Sequence, residues 1–311
     1  MKKLGRLQLA TLGPLFGLIL ITSVLAIMSD NFFTLTNIFN LLRQVSVNAL
    51  IAFGMTFVIL TAGIDLSVGS ILALGSALTA GLLTSGIDPI LAVCIGLIIG
   101  LILGTVNGLI ITKGRVAPFI ATLATMTIYR GITLVYTDGR PITGLSDSFA
   151  FEMIGKGYVF GIPFPAIVMV IVFIVLYFIL RQTVFGREVY AVGGNEEAAT
   201  LSGIKADRVK IWVYSLTGML SVLAGIIITS RLNSAQPTAG SMYELDAIAA
   251  VVIGGTSLAG GRGRIVGTLI GALIIGVIDN GLNLLNVPSF YQQIVKGGVI
   301  LLAVLLDRKT S

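Results

Sequence analysis

Histidine is absent from the 311-residue chain, and with it go Ser-His and Cys-His nucleophile pairs and the commonest zinc ligands. The one cysteine, Cys94, stands among Val93, Ile95 and Leu97, so no intrachain disulfide can form. Charge is scarce as well: Asp, Glu, Lys and Arg make up 11% of the residues, where a soluble domain carries about 25%. The acidic residues are scattered, and none pair at a glycosidase-like spacing. The chain is therefore expected to be no enzyme, to hold no metal and to bind no cofactor of its own. A net charge of +6 is too small to make nucleic acid the natural partner. In a membrane chain, positive charge reads as orientation instead.

What fills the chain is apolar residue, 56% of it. These residues fall in blocks long enough to cross a bilayer, for which a helix needs about 20. Charged and Gly/Pro punctuation separates ten expected spans, at about 12–28, 45–62, 66–85, 89–112, 117–137, 164–180, 211–230, 245–258, 265–285 and 290–306. The expected fold class is all-α: a polytopic helical membrane protein forming a single transmembrane domain, 1–311. Lys2, Lys3 and Arg6 before the run Leu12–Met28 would suit a signal peptide. The following Ser29-Asp30-Asn31-Phe32-Phe33 offers no small-residue cleavage site, so an uncleaved first span is expected.

Lys and Arg test the orientation. With the N-terminus inside, the inner segments hold Lys2, Lys3, Arg6, Lys113, Arg115, Arg181, Arg187, Lys205, Arg208, Lys210, Arg262, Arg264, Arg308 and Lys309, which is 14 of 20. That asymmetry favours an even number of spans with both termini in the cytoplasm. The longest outer segment is then 138–163 and the longest inner one 181–210.

The inner segment is the most informative. Asn195 suits a helix N-cap, and Glu196 and Glu197 sit in the first turn, where the helix dipole favours anions. Ala198 and Ala199 form helix well, and Gly203 suits the left-handed position that ends one. The residues therefore predict a helix of about two turns, too short to be stable without a surface to lie on. On these grounds it is equally a connector packed on its own bundle or a docking element.

Glu197-Ala198-Ala199 followed by Gly203 resembles the coupling motif of ABC importer permeases, in which a short cytoplasmic helix docks into a groove on the ATPase subunit. Three further blocks match the sugar-type branch of that family: Thr61 to Gly69, Ser234 to Gly240, and Tyr243-Glu244-Leu245-Asp246 running through Gly254 to Ser257. The resemblance spans nearly the whole chain, and its pattern is most like that of bacterial ribose permeases. Ala62 is a departure, since many relatives carry a second glycine there. The resemblance implies a homodimer in the bacterial cytoplasmic membrane, a cytoplasmic ABC ATPase that uses ATP and Mg, an extracytoplasmic sugar-binding protein, and a small sugar as substrate. It also assigns the coupling role to Asn195, Glu196, Glu197, Ala198, Ala199 and Gly203. The chain's own residues agree that ATP is used elsewhere. The Gly-rich stretch Gly255 to Gly260 continues Gly261-Arg262 and lacks the Lys and hydroxyl of a phosphate loop, so it reads as a turn.

Polar residues within the spans mark the candidate sugar path: Asp65, Ser67, Asn107, Asp246 and Asn280. Asp65 follows Gly63 where a helix restarts, so it either caps that helix or contacts sugar, and the two roles are compatible. Asp246 and Glu244 open the short eighth span as path-lining residues, contacts for a delivery protein, or first-turn caps. Asp279 costs about 2.5–3.5 kcal/mol at mid-bilayer, which the Leu, Ile and Val of its span outweigh. Gly96, Gly100, Gly104 and Gly108 recur every fourth residue, as close helix packing requires. Gly104 to Phe119 is echoed by Gly276 to Phe290 in the opposite direction of travel, the pattern of two inverted five-helix halves. The alternative to an ATP-driven importer is a secondary transporter in which Asp65, Asp246 and Asp279 carry coupling ions.

Overall fold

The computed structural model describes residues 2–145 and 148–307. The basic pair Arg308 and Lys309 and residues 146 and 147 of the outer segment lie outside the described residues.

The chain begins with α1 (Lys2–Met28) and α2 (Leu35–Leu60). α2 starts about ten residues before the expected span, because Thr34 caps it by accepting from Asn37 N at 3.4 Å. Its early polar residues hid that first stretch, yet Asn37 is buried and paired. Thr61 to Ser67 then break the path before α3 (Val68–Thr84). α4 (Pro89–Thr112) starts on Asp88, whose Oδ1 accepts from Ile90 N and Leu91 N at 3.0 and 3.1 Å, with Pro89 in the first turn. α5 (Pro118–Thr137) ends on Asp138 in the left-handed region.

The segment expected to lie outside carries more structure than its sequence suggested. Strand β1 (Ile142–Thr143) is followed by α6 (Phe149–Lys156) and by a tight hairpin of β2 (Tyr158–Val159) and β3 (Ile162–Pro163). α7 (Phe164–Gln182) leads to α8 (Val184–Gly194), α9 (Glu196–Leu201) and α10 (Ala206–Leu232). β4 (Ser234–Ala235) pairs antiparallel with β1, Ile142 facing Ala235. α11 (Tyr243–Ile253), α12 (Ile265–Leu284) and α13 (Ser289–Asp307) complete the chain.

Each of the ten expected spans overlaps a helix, but among the described residues only six are long and apolar enough to cross a membrane: α2, α4, α5, α7, α10 and α12. The expected eighth span, 245–258, is cut to the 11 residues of α11. At 1.5 Å per residue that is roughly half of a 30 Å hydrocarbon core. Its helix stops at Gly254 because the chain turns through the Gly-rich stretch that follows.

α2 lies at the centre, with Val45 to Leu60 buried almost throughout. The glycine stripe of α4 packs against α10: a side-chain carbon at Gly104 would collide with the Tyr214 carbonyl, and one at Gly100 with backbone of Gly218 and Met219. Small residues let these two backbones approach closely.

Ala62 holds φ at +58°, a conformation costing a non-glycine residue about 1–2 kcal/mol. Ala62→Gly should relieve it and, after the added flexibility of the unfolded chain, stabilise the protein by about 0.5 kcal/mol. A melting temperature in detergent that falls would contradict this.

Candidate functional site

Two places carry the chemistry. The first is the surface formed by α8, α9 and the start of α10. Asn195 Oδ1 accepts from Ala198 N at 2.9 Å, as an N-cap should. At the other end Gly203 N donates to Thr200 O and Ile204 N to Ala199 O, both at 3.0 Å, with Gly203 at φ +90°. That is a Schellman termination, which requires the left-handed residue glycine supplies. Of α9 only Ala199 is buried; Glu196, Glu197, Ala198 and Thr200 are exposed, and Leu201 is 84% exposed. A six-residue helix that hides one alanine and presents a leucine is poorly accounted for by packing on its own bundle. Beside it, Phe185, Val209 and Trp212 line a cleft of about 400 Å³ rimmed by Lys205 and Arg208. α8 is tied inward through Tyr190, whose hydroxyl donates to Gly263 O at 2.9 Å. Burial pushes that phenol above its ordinary value despite Arg264 nearby, so it keeps its proton.

The second place is where α3 and α11 begin inside the bundle. Asp65 is fully buried, and its Oδ1 accepts from Ser67 N at 2.9 Å and Ser67 Oγ at 2.6 Å. Ser67 Oγ accepts in turn from Asn107 Nδ2 at 2.7 Å, and Tyr129 donates toward Asn107 Oδ1 at 3.4 Å. Asp65 and Ser67 of the α2–α3 break are thus joined to Asn107 of α4, 40 residues further on. Asp65 Oδ2 has no hydrogen-bond partner among the described residues. The Asp65 bond to Ser67 N closes a turn just ahead of α3, whose N-cap is Ser67 and carries no side-chain capping bond.

Gly69 at the start of α3 meets Gly240 before α11 so closely that a side chain on Gly69 would strike the Gly240 carbonyl and Glu244. Arg130 of α5 fastens the same loop, donating to Pro237 O at 2.6 Å and Ala239 O at 2.9 Å. Two interrupted paths therefore abut within the bundle, the arrangement in which transporters place their sites.

Asp246 and Asn280 are not part of the Asp65 cluster. Asp246 accepts from Lys296 at 2.9 Å, and the same ammonium reaches Asp279 at 3.0 Å. The triad joins α11, α12 and α13. Asn280 exchanges two hydrogen bonds with Asn37, at 2.8 and 3.0 Å, and so locks α12 to α2. Arg130, Tyr129 and Lys296 were missed from sequence. For Arg130 and Lys296 the available signal was a charge inside an apolar span, which marks a functional position by default; Tyr129 offered none.

A family model described as branched-chain amino acid transport system / permease component matches residues 37–304. The chain belongs to that permease family. Among its relatives, the permease is 67% identical over 300 residues to the ribose import permease protein RbsC of Bacillus subtilis, covering 96% of this chain and 93% of that one. It is 56% identical over 297 residues to RbsC of Escherichia coli K12, covering 95% and 92%. The D-allose transport system permease protein AlsC of the same strain is 45% identical over 301 residues, covering 96% and 92%. No solved structure matches the permease.

Proposed function

We propose that this permease carries D-ribose across the bacterial cytoplasmic membrane as the membrane-spanning subunit of an ATP-binding-cassette importer. The sugar follows the relatives named for ribose, which are more similar to the chain than the relative named for D-allose. ATP hydrolysis falls to a partner ATPase, and an extracytoplasmic binding protein delivers the sugar. Two copies form the path, each with ten membrane-embedded helices in two inverted halves and both termini in the cytoplasm. The shorter α3 and α11 and the described part of α1 are among those ten.

The observation that carries the ATP-driven reading is α9, a capped helix whose exposed face has nothing to cover it within the described residues. Docked in the ATPase, it would be pushed when the nucleotide-binding subunits close, and alternating access would follow. Asp65, Ser67, Asn107 and Asp246 are the path candidates this reading retains; Asn280 faces its amide partner. Lys296 argues against an ion-driven carrier, because it already occupies the carboxylates of Asp246 and Asp279. Glu197→Arg and Gly203→Asp should each abolish capture of the ATPase while membrane insertion is unchanged. Capture by both variants would overturn the docking role.

A further inference from the structure

Glu196, the first residue of α9, ion-pairs with Lys210 of α10 at 2.6 Å. The lysine side chain is 15% exposed, so the pair is half shielded from solvent rather than a free surface contact. Lys210 and Tyr214 stand one helical turn apart on the same face of α10. Together with Glu196 they line a cavity of about 180 Å³ whose opposite wall is Thr61, Ala62 and Gly63. The Tyr214 hydroxyl reaches across to the Ile64 carbonyl at 3.5 Å, and Ile64 precedes the buried Asp65 that anchors Ser67 and Asn107. Between the exposed helix and the interruption of the α2–α3 path there is thus one ion pair, one turn of a 27-residue helix and a small open space.

We propose that Lys210 and Tyr214 are positioning residues that pass displacement of α9 to the α2–α3 break, the Glu196–Lys210 pair being the link that couples ATP use to opening of the path. This rests on α9 being the helix that docks the ATPase. Three features point the same way. α9 buries one alanine, so little besides the ion pair holds it to α10. Tyr214 is buried with its hydroxyl packed against Gly63 and Ile64, so a shift of α10 reaches the break by direct contact. The break they face holds a non-glycine residue, Ala62, at positive φ, a conformation maintained only by its surroundings. The other ion pair at this end, Lys113 with Asp207 at 2.7 Å, is exposed on both sides at 66% and 47%, where such a pair contributes little.

The test uses the permease reconstituted in proteoliposomes with its ATPase and sugar-binding protein, reading ATPase capture, ATP hydrolysis and sugar moved per ATP. Lys210→Glu should keep the ATPase captured and hydrolysing while sugar per ATP falls about tenfold, the size expected for a directly coupled pair. Lys210→Arg, which keeps the charge facing Glu196, should stay within about twofold of wild type. Tyr214→Phe should lower the ratio without changing capture, and Lys113→Met should leave it unchanged. A Lys210→Glu permease that transports at the wild-type ratio overturns the link. Loss of capture in Lys210→Glu also overturns it, because the lysine would then act in docking. A wild-type permease that captures no ATPase overturns the docking reading itself, and this inference with it.

Discussion

Lys296→Met should yield a permease that inserts but is destabilised by about 3 kcal/mol, the lower part of the range for removing one partner of a buried ion pair. The side chain is 24% exposed, which leaves some solvent to share the load and keeps the effect below the maximum. The physical cause lies with what is left behind. Asp246 and Asp279, 6% and 5% exposed, would face each other with no counter-charge, and Asp279 Oδ1 already has no hydrogen-bond partner among the described residues. Two unbalanced carboxylates inside apolar helices are the costly arrangement that membrane proteins avoid. The measurement is a melting curve in detergent. Adding Asp279→Asn to Lys296→Met should recover part of the loss, because it removes one of the two unbalanced charges. If Lys296→Met melts like the wild type, the triad does not hold α13 to the bundle.

Gly104→Ala is expected to cost about 2–3 kcal/mol, the upper part of the range for overpacking a fitted core. Ordinarily an added methyl is absorbed by a neighbouring side chain. Here the neighbours are the Tyr214 carbonyl and the Ser215 backbone, which can yield only if α10 moves as a body. Gly131 on α5 has nothing near its added carbon, so Gly131→Ala should be neutral or slightly stabilising, since alanine forms helix better than glycine by about 1 kcal/mol. Comparing the two variants by size-exclusion behaviour and melting temperature separates packing from propensity. Equal behaviour would mean that α4 and α10 are not closely packed.

The features legible in sequence are those written within a few residues. A cap acts over two or three residues, so Asn195 could be read, and so could Gly203 as the end of α9. A glycine stripe repeats along one helix face, so the α4 surface was readable although its partner, α10, was not. Asn37 and Asn280 are 243 residues apart and Lys296 lies 50 from Asp246, and no local pattern joins such pairs. Arg130 is placed by carbonyls more than 100 residues away, which no local pattern announces. α8 was obscured for another reason. Gly186, Gly193 and Gly194 and the charges of Arg187 and Glu188 read as loop, whereas packing of Val189 and Val192 on the bundle makes the segment helical. Length also misled. α11 has the composition of a span, but the turn after Gly254 halves it, and composition alone does not reveal where a path folds back.

Asp65, Ser67 and Asn107 show how far the candidate path could be read. Each is a polar residue in an apolar stretch, and the bundle brings Asn107 to the neighbouring Asp65 and Ser67 in one hydrogen-bonded chain. Asn280 was chosen on the same grounds, yet its amide is consumed by Asn37. Polarity inside a membrane therefore marks a position worth examining, and tertiary pairing decides between path and packing.

The most direct measurement is uptake of labelled D-ribose into proteoliposomes holding the permease, its ATPase and the sugar-binding protein. The account predicts uptake that requires ATP inside and the binding protein outside, ignores imposed ion gradients, and favours ribose over allose. Uptake driven by an ion gradient in vesicles that hold the permease alone would contradict it.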